Sequence, residues 1–142
     1  MSDENLDPAQ RFAVQDTLAR YAFALDQHDL VGLERSLTED ATWTFTIAGG
    51  AGIGPVAGRP AILEFVRRAT ETQTDQRRHN LTDVVVRRSD AATAVARGYL
   101  MLTSNAGGGP SVITTGAYEW ILRHVEGEWR IATLLLDMDN AQ

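Results

Sequence analysis

The chain has 142 residues, enough for one domain that buries roughly two-thirds of the surface its unfolded form would expose, and it needs no second core. All 13 basic side chains are arginine and there is no cysteine, which excludes Schiff-base chemistry, covalent pyridoxal attachment, thiol nucleophiles, disulfides and cysteine-ligated zinc. A net charge of -6 opposes a role in binding nucleic acid or an anionic membrane, whose affinity rests on a basic surface, and leaves acid–base work by Asp, Glu, His and Tyr.

Met1 to Asp7 is acidic and polar, with no positively charged stretch followed by an apolar one, and no run approaches membrane-spanning length. The expectation is a soluble, cytoplasmic protein folded as a single domain over residues 1–142, with residues 1–6 flexible. Asp7-Pro8 is a helix-start signal, an N-cap oxygen followed by a proline whose missing N–H costs nothing in the first turn. Val14, Leu18, Tyr21, Ala22 and Leu25 then recur at helical spacing and form an apolar stripe, with Asp26 one step beyond its end. After the polar break Gln27-His28-Asp29, a second helix is predicted over Leu30 to Thr38, burying Leu30, Leu33 and Leu37.

Ala41 to Ile47 is a β-favouring run carrying Trp43 and Phe45. The glycine-rich stretch from Ala48 to Gly58 is predicted to be irregular and mobile, a lid or rim loop. Its Gly49-Gly-Ala-Gly-Ile-Gly54 core precedes no parallel βαβ unit, so it is no dinucleotide loop. Gly58-Arg-Pro60 starts a third helix with Ile62, Phe65, Val66 and Ala69 on one face, ending near Thr72. From His79 the pattern alternates, predicting strands over His79–Arg88, Ala92–Ser104, Ser111–Val125 and Glu128–Met138. The connections between them are too short for parallel crossovers and imply an antiparallel meander. Helices first and hairpins later give an α+β fold, with N-terminal helices packed on a curved, mainly antiparallel sheet.

Two polar groups in apolar settings stand out. Asp26 ends the stripe of the first helix, and His79 opens a strand. A carboxylate and an imidazole that meet in a pocket form a proton-transfer pair, the Asp orienting the His and the His moving the proton. His28, in a polar break, and His124, beside a turn, are read as structural. Tyr21, on the helix stripe, and Trp43 are candidate pocket wall. Tyr118 on the third long strand is a candidate hydrogen-bond donor to substrate, and Asp137, ending the alternation Trp129, Ile131, Thr133, Leu135, Asp137, belongs at the pocket rim or the sheet edge. The doublets Arg67-Arg68, Arg77-Arg78 and Arg87-Arg88 read as solvated faces or strand edges. Three scattered histidines with no His-x-x-x-His spacing offer no metal ligand set, and no metal or cofactor is expected.

The segments Ala19-Arg-Tyr-Ala-Phe-Ala-Leu-Asp-Gln-His-Asp29, Leu37-Thr-Glu-Asp-Ala-Thr-Trp43, Gly58-Arg-Pro-Ala-Ile62, Arg78-His-Asn80 and Glu126-Gly-Glu-Trp-Arg-Ile131, in that order, resemble the SnoaL-like branch of the nuclear transport factor 2-like superfamily. That resemblance implies a cone-shaped α+β fold enclosing a deep pocket. The positions of Asp26 and His79 resemble those of the scytalone dehydratase-like branch, where an Asp-supported His removes a proton. Leu25 and Phe45 stand where that branch carries tyrosines, and Tyr118 where it carries Asn. The candidate substrate contacts in this chain are Tyr21, Trp43, Phe45, Tyr118 and Asp137. The resemblance also implies a cofactor-free dehydratase, isomerase or cyclase acting on a small, apolar, carbonyl-bearing, polyketide-like molecule. The alternative is a non-catalytic ligand-binding or assembly module, as in the small subunits of ring-hydroxylating oxygenases. A homodimer or higher oligomer is expected, because the strand Ser111–Val125 shows apolar residues on both faces: Ile113, Ala117 and Ile121 on one, Val112, Tyr118 and Trp120 on the other.

Overall fold

The computed structural model describes residues 6–140, the Arg88 side chain excepted. The expected flexibility of residues 1–6 concerns positions 1–5, outside the described residues, and Leu6, which is buried. Helix α1 (Pro8–Asp26) begins as its sequence dictates, with the Asp7 carboxylate accepting the Gln10 N–H at 2.8 Å. It buries Val14, Leu18, Tyr21, Ala22, Ala24 and Leu25 against the sheet. Helix α2 (Leu30–Ser36) is capped by Asp29, which accepts the Gly32 N–H at 2.9 Å. It stops two residues earlier than its periodicity suggests, because Leu37 already pairs with the last strand and opens β1 (Leu37–Ile47).

The glycine-rich stretch is not wholly irregular. Ile53–Ala57 forms strand β2, antiparallel to β1 with Val56 opposite Trp43 and Ile53 opposite Phe45. Pro55 is tolerated because β2 is the sheet edge, where a missing N–H leaves no ladder bond unmade. Ala48 to Gly52 remains outside regular strand, anchored by the Ala48 N–H donating to the Met138 carbonyl at 2.6 Å, and Gly58 caps the next helix. Helix α3 (Arg59–Thr70) buries Ile62 and Val66.

Strands β3 (Gln76–Asp90), β4 (Thr93–Asn105), β5 (Pro110–Val125) and β6 (Glu128–Met138) form the expected antiparallel meander. Strand β1 joins β6 in parallel, giving one mixed, mostly antiparallel curved sheet of order β2-β1-β6-β5-β4-β3 with the three helices packed on it.

Two bulges change which side chains face inward. On β6 the register moves from Leu122 opposite Ile131 to Ile121 opposite Thr133, so Ala132 is an extra residue and the inward series continues as Leu134, Leu136 and Met138. The uninterrupted alternation that ended at Asp137 is thereby corrected. On β5 the register between Leu102 and Thr103 makes Ile113 the extra residue; Val112 is exposed and Ile113 packs against the core, the reverse of a simple period-two reading.

Candidate functional site

The inner face of the sheet and helix α3 enclose a cavity of about 340 Å³. Its wall is mostly apolar: Leu25 from α1, Trp43 and Phe45 from β1, Phe65 and Val66 from α3, Leu100 and Leu102 from β4, Leu136 and Met138 from β6. Trp43, Phe45 and Phe65 form one aromatic group, with ring centroids 4.8, 5.6 and 6.0 Å apart. Phe65 belongs to the apolar face of α3 in sequence, yet 42 % of its surface is open. The three rings give the cavity a partly open aromatic wall. A larger cleft, of about 590 Å³, lies between α1, α2 and the β5–β6 turn and shares no lining residue with this cavity; it is lined by polar groups such as Asp16, Arg20 and His124 and, among the described residues, brings together no hydrogen-bonded Asp–His pair.

Asp26 and His79 meet at the cavity. The Asp26 Oδ1 lies 2.7 Å from the His79 Nδ1, and the His79 backbone N–H donates to both carboxylate oxygens at 3.0 and 3.1 Å. The side chains are largely covered, with 10 % and 18 % of their surface open for Asp26 and His79. His79 lines the cavity and Asp26 stands behind it. With Nδ1 committed to the carboxylate, Nε2 is the ring nitrogen without a protein partner among the described residues.

The setting of Asp26 is informative. It is the last residue of α1, whose final turn holds no basic side chain, so its charge lies at the negative end of the helix dipole. The two donors of His79 offset that cost. A carboxylate placed there holds the imidazole beside it in one orientation.

A second polar pair reaches the cavity from β5 and α1. The Tyr21 and Tyr118 hydroxyls are 2.9 Å apart, both side chains are buried, and Tyr118 lines the cavity whereas Tyr21 does not. Two hydroxyls carry two protons but share one bond. The remaining proton finds no acceptor among the described residues, and only Tyr118 can present it to the cavity. Burial pushes the Tyr118 phenol up to about 12, with the Tyr21 hydrogen bond opposing and the Asp26 charge adding to the rise. Burial likewise raises Tyr21 well above its ordinary value, reinforced by Tyr118. Tyr118 is therefore a neutral hydrogen-bond donor throughout the physiological range. Its ring stacks on Trp120 at 4.5 Å, which fixes it in place.

The sequence candidates thus fall into three groups. Asp26 and His79 are in contact; Trp43, Phe45 and Tyr118 line the cavity, with Tyr21 one bond behind. Asp137 lies elsewhere: the bulge at Ala132 turns it outward, where it accepts the Thr46 hydroxyl at 2.5 Å and the Gly49 N–H at 2.9 Å. It ties the loop after β1 to β6, an interior strand of the sheet. His28 is exposed beside Gln73, and exposed His124 packs near Trp129. Sequence reasoning overlooked Arg77, which lines the cavity rather than a solvated face. Its signal was its place two residues before His79 on an alternating strand, which turns both side chains the same way. Among the described residues, no cluster of three His, Asp or Glu side chains could hold a metal ion, and no helix is long and apolar enough to cross a membrane.

Comparison with known proteins agrees with this architecture. A protein of unknown function from Mycobacterium tuberculosis, solved as an aspartate-to-asparagine variant, shares 26 % identity, covers 94 % of this chain and 73 % of its own, and superposes with a TM-score of 0.79. A Catenulispora acidiphila protein in complex with S-DNPA shares 22 % identity over 92 % of this chain and 93 % of its own, with a TM-score of 0.79. A protein from Novosphingobium aromaticivorans, assigned as the beta subunit of an aromatic-ring-hydroxylating dioxygenase, shares 16 % identity over 94 % and 92 % with a TM-score of 0.80. The last two demonstrate the fold alone. No curated protein matches the chain. The family model described as the SnoaL-like domain matches residues 9–134, nearly the whole chain, and the protein belongs to that family.

Proposed function

We propose that this domain is a cytoplasmic acid–base enzyme, using its own side chains to enolise a small, largely apolar, carbonyl-bearing metabolite of polyketide-like character. The observation that carries this reading is the 2.7 Å contact between Asp26 and His79 Nδ1, which leaves Nε2 as the free ring nitrogen at an aromatic-walled cavity. In this reading Nε2 takes a proton from the carbon next to the carbonyl. The C–H electron pair moves into the enolate, and the Asp26 carboxylate stabilises the imidazolium that forms. Tyr118 donates its spare hydrogen to the developing oxyanion, with Tyr21 holding the phenol in that orientation. Loss of a β-hydroxyl from the enolate is dehydration, return of the proton at another carbon is isomerisation, and attack of the enolate on a second carbonyl is cyclisation. All three share the first step, so α-proton exchange into solvent deuterium tests the reading without knowledge of the natural substrate.

A second reading, a non-catalytic assembly module, draws support from the fold shared with the dioxygenase beta subunit and from the outer sheet face, where Val85, Tyr99, Met101, Val112 and Leu135 are exposed. Under either reading that face supports a homodimer or higher oligomer, since a sheet apolar on both sides needs cover on both. Catalytic exchange at the cavity separates the two readings.

A further inference from the structure

Arg77 and His79 sit one inward step apart on β3, opposite Ser104 and Leu102 of β4, a separation of roughly 7 Å along the strand. Among the described residues they are the only ionisable groups other than the buried Tyr118 that line the cavity. Both are bases, and among the described residues no carboxylate lines it. This is the reverse of the chain as a whole, which carries 19 acidic residues against 13 basic ones. A guanidinium at the mouth of an otherwise apolar cavity calls for explanation.

The fixing of Arg77 supplies one. Its Nε donates to the Asp75 Oδ2 at 3.0 Å, and the same oxygen accepts the Ser104 hydroxyl from β4. The Ser104 bond, then Arg77, hold the Asp75 carboxyl below its usual range, so the anchor stays charged. The guanidinium is thus held along one edge, and its two terminal amino groups have no protein partner among the described residues. A planar fork with both terminal nitrogens free is the geometry that binds a carboxylate through two parallel hydrogen bonds. The side chain is about one-third exposed, which sets it at the cavity mouth with the apolar wall beyond.

We infer that Arg77 is a specificity-determining residue that binds a carboxylate on the ligand, so that the cavity selects apolar carbonyl compounds that also carry a carboxylate. The inference rests on the cavity being the ligand site, as the proposed function holds. It adds a substrate class that the Asp26–His79 pair does not require. The competing role for Arg77 is a structural ion pair with Asp75 alone.

The probes are 3-benzoylpropionate, an aryl ketone with a carboxylate two carbons from its carbonyl, and its methyl ester, which keeps the skeleton and removes the charge. Isothermal titration of the full chain should show the acid binding more tightly than the ester, by about tenfold or more, as expected of charge-assisted hydrogen bonds. Arg77→Gln should abolish that preference while leaving ester binding within about twofold. Arg77→Lys, retaining charge but not the fork, should keep only part of it. Mapping of phenylglyoxal adducts on the wild-type chain provides a test free of folding effects: the acid should protect Arg77 and the ester should not. Equal affinity for acid and ester, no binding of either, a preference that survives in Arg77→Gln, or absence of protection would overturn the assignment. Failure of the Asp26–His79 reading is registered separately, as loss of α-proton exchange on the ester, which does not involve the carboxylate.

Discussion

The Asp26 carboxylate grips His79 at two points, its ring Nδ1 at 2.7 Å and its backbone N–H at 3.0 and 3.1 Å. The double grip explains how an acid at the unfavourable end of α1 is held. It also fixes the ring: the backbone contact sets the position of the β3 strand relative to the helix, and the ring contact sets which nitrogen faces the cavity. Loosening either partner therefore alters the tautomer and the placement of the base together.

Tyr118 is expected to contribute through its proton. Tyr118→Phe should slow α-proton exchange by about 10²- to 10³-fold, the usual share of one donor to a developing oxyanion. Tyr21→Phe, which loosens the donor without removing it, should cost less. Because burial holds Tyr118 near 12, its contribution should be constant from pH 6 to 9. Nuclear magnetic resonance exchange rates across that range check both points, and a full-rate Tyr118→Phe enzyme would remove Tyr118 from the account.

Acid stability has a definite sign. Asp40 is depressed chiefly by the Thr38 hydroxyl, Glu64 to about 2 by Arg67 and Arg68, Asp75 by Ser104 and Arg77, and Asp137 by Thr46 and the Gly49 N–H. Groups lowered in the folded state stabilise it fully above their unfolded values near 4, and that contribution is lost as pH falls through the folded values. Thermal unfolding should accordingly give a Tm insensitive to these groups from pH 7 to 5 and falling between about pH 4 and 2. The drop should be modest, because these carboxylates are solvent-screened. Asp137→Asn should reduce the drop while leaving exchange at the cavity unchanged. A Tm that climbed between pH 4 and 2 would contradict the assignment.

Self-association should depend on the outer sheet face. Sedimentation equilibrium at micromolar concentration is expected to give a dimer or larger species, and Tyr99→Glu, a charge placed at the centre of the exposed apolar residues, should yield a monomer that keeps its fold. A wild-type monomer would rule the interface out.

Much of this structure was legible in the sequence, and the exceptions share a cause. Asp7-Pro8 and the Val14-to-Leu25 stripe specify α1 because capping and periodicity are local properties. The meander from Gln76 onward follows from alternation and short turns. What was not legible depends on partners distant in sequence. Strand β2 forms from a glycine-rich segment because β1 offers an open edge to pair with. The bulges at Ile113 and Ala132 reverse side-chain facing from those points on, which no count along one strand reveals. Asp137 was misassigned for that reason. Arg77 was overlooked because a charged doublet reads as solvated surface, although strand alternation sends its two members to opposite faces. Asp26 and His79, 53 residues apart, stood out as polar groups in apolar runs; their contact required the fold.

The most direct test of the central claim is α-proton exchange of the methyl ester of 3-benzoylpropionate in deuterium oxide, followed by nuclear magnetic resonance for four proteins. The wild type should accelerate exchange. His79→Ala should lower that acceleration by roughly 10²- to 10⁴-fold, Asp26→Asn should also impair it, and the double variant should be scarcely slower than His79→Ala alone, because the two residues act as one unit. Undiminished exchange in both single variants, or free-energy losses that simply add in the double variant, would contradict the Asp26–His79 account.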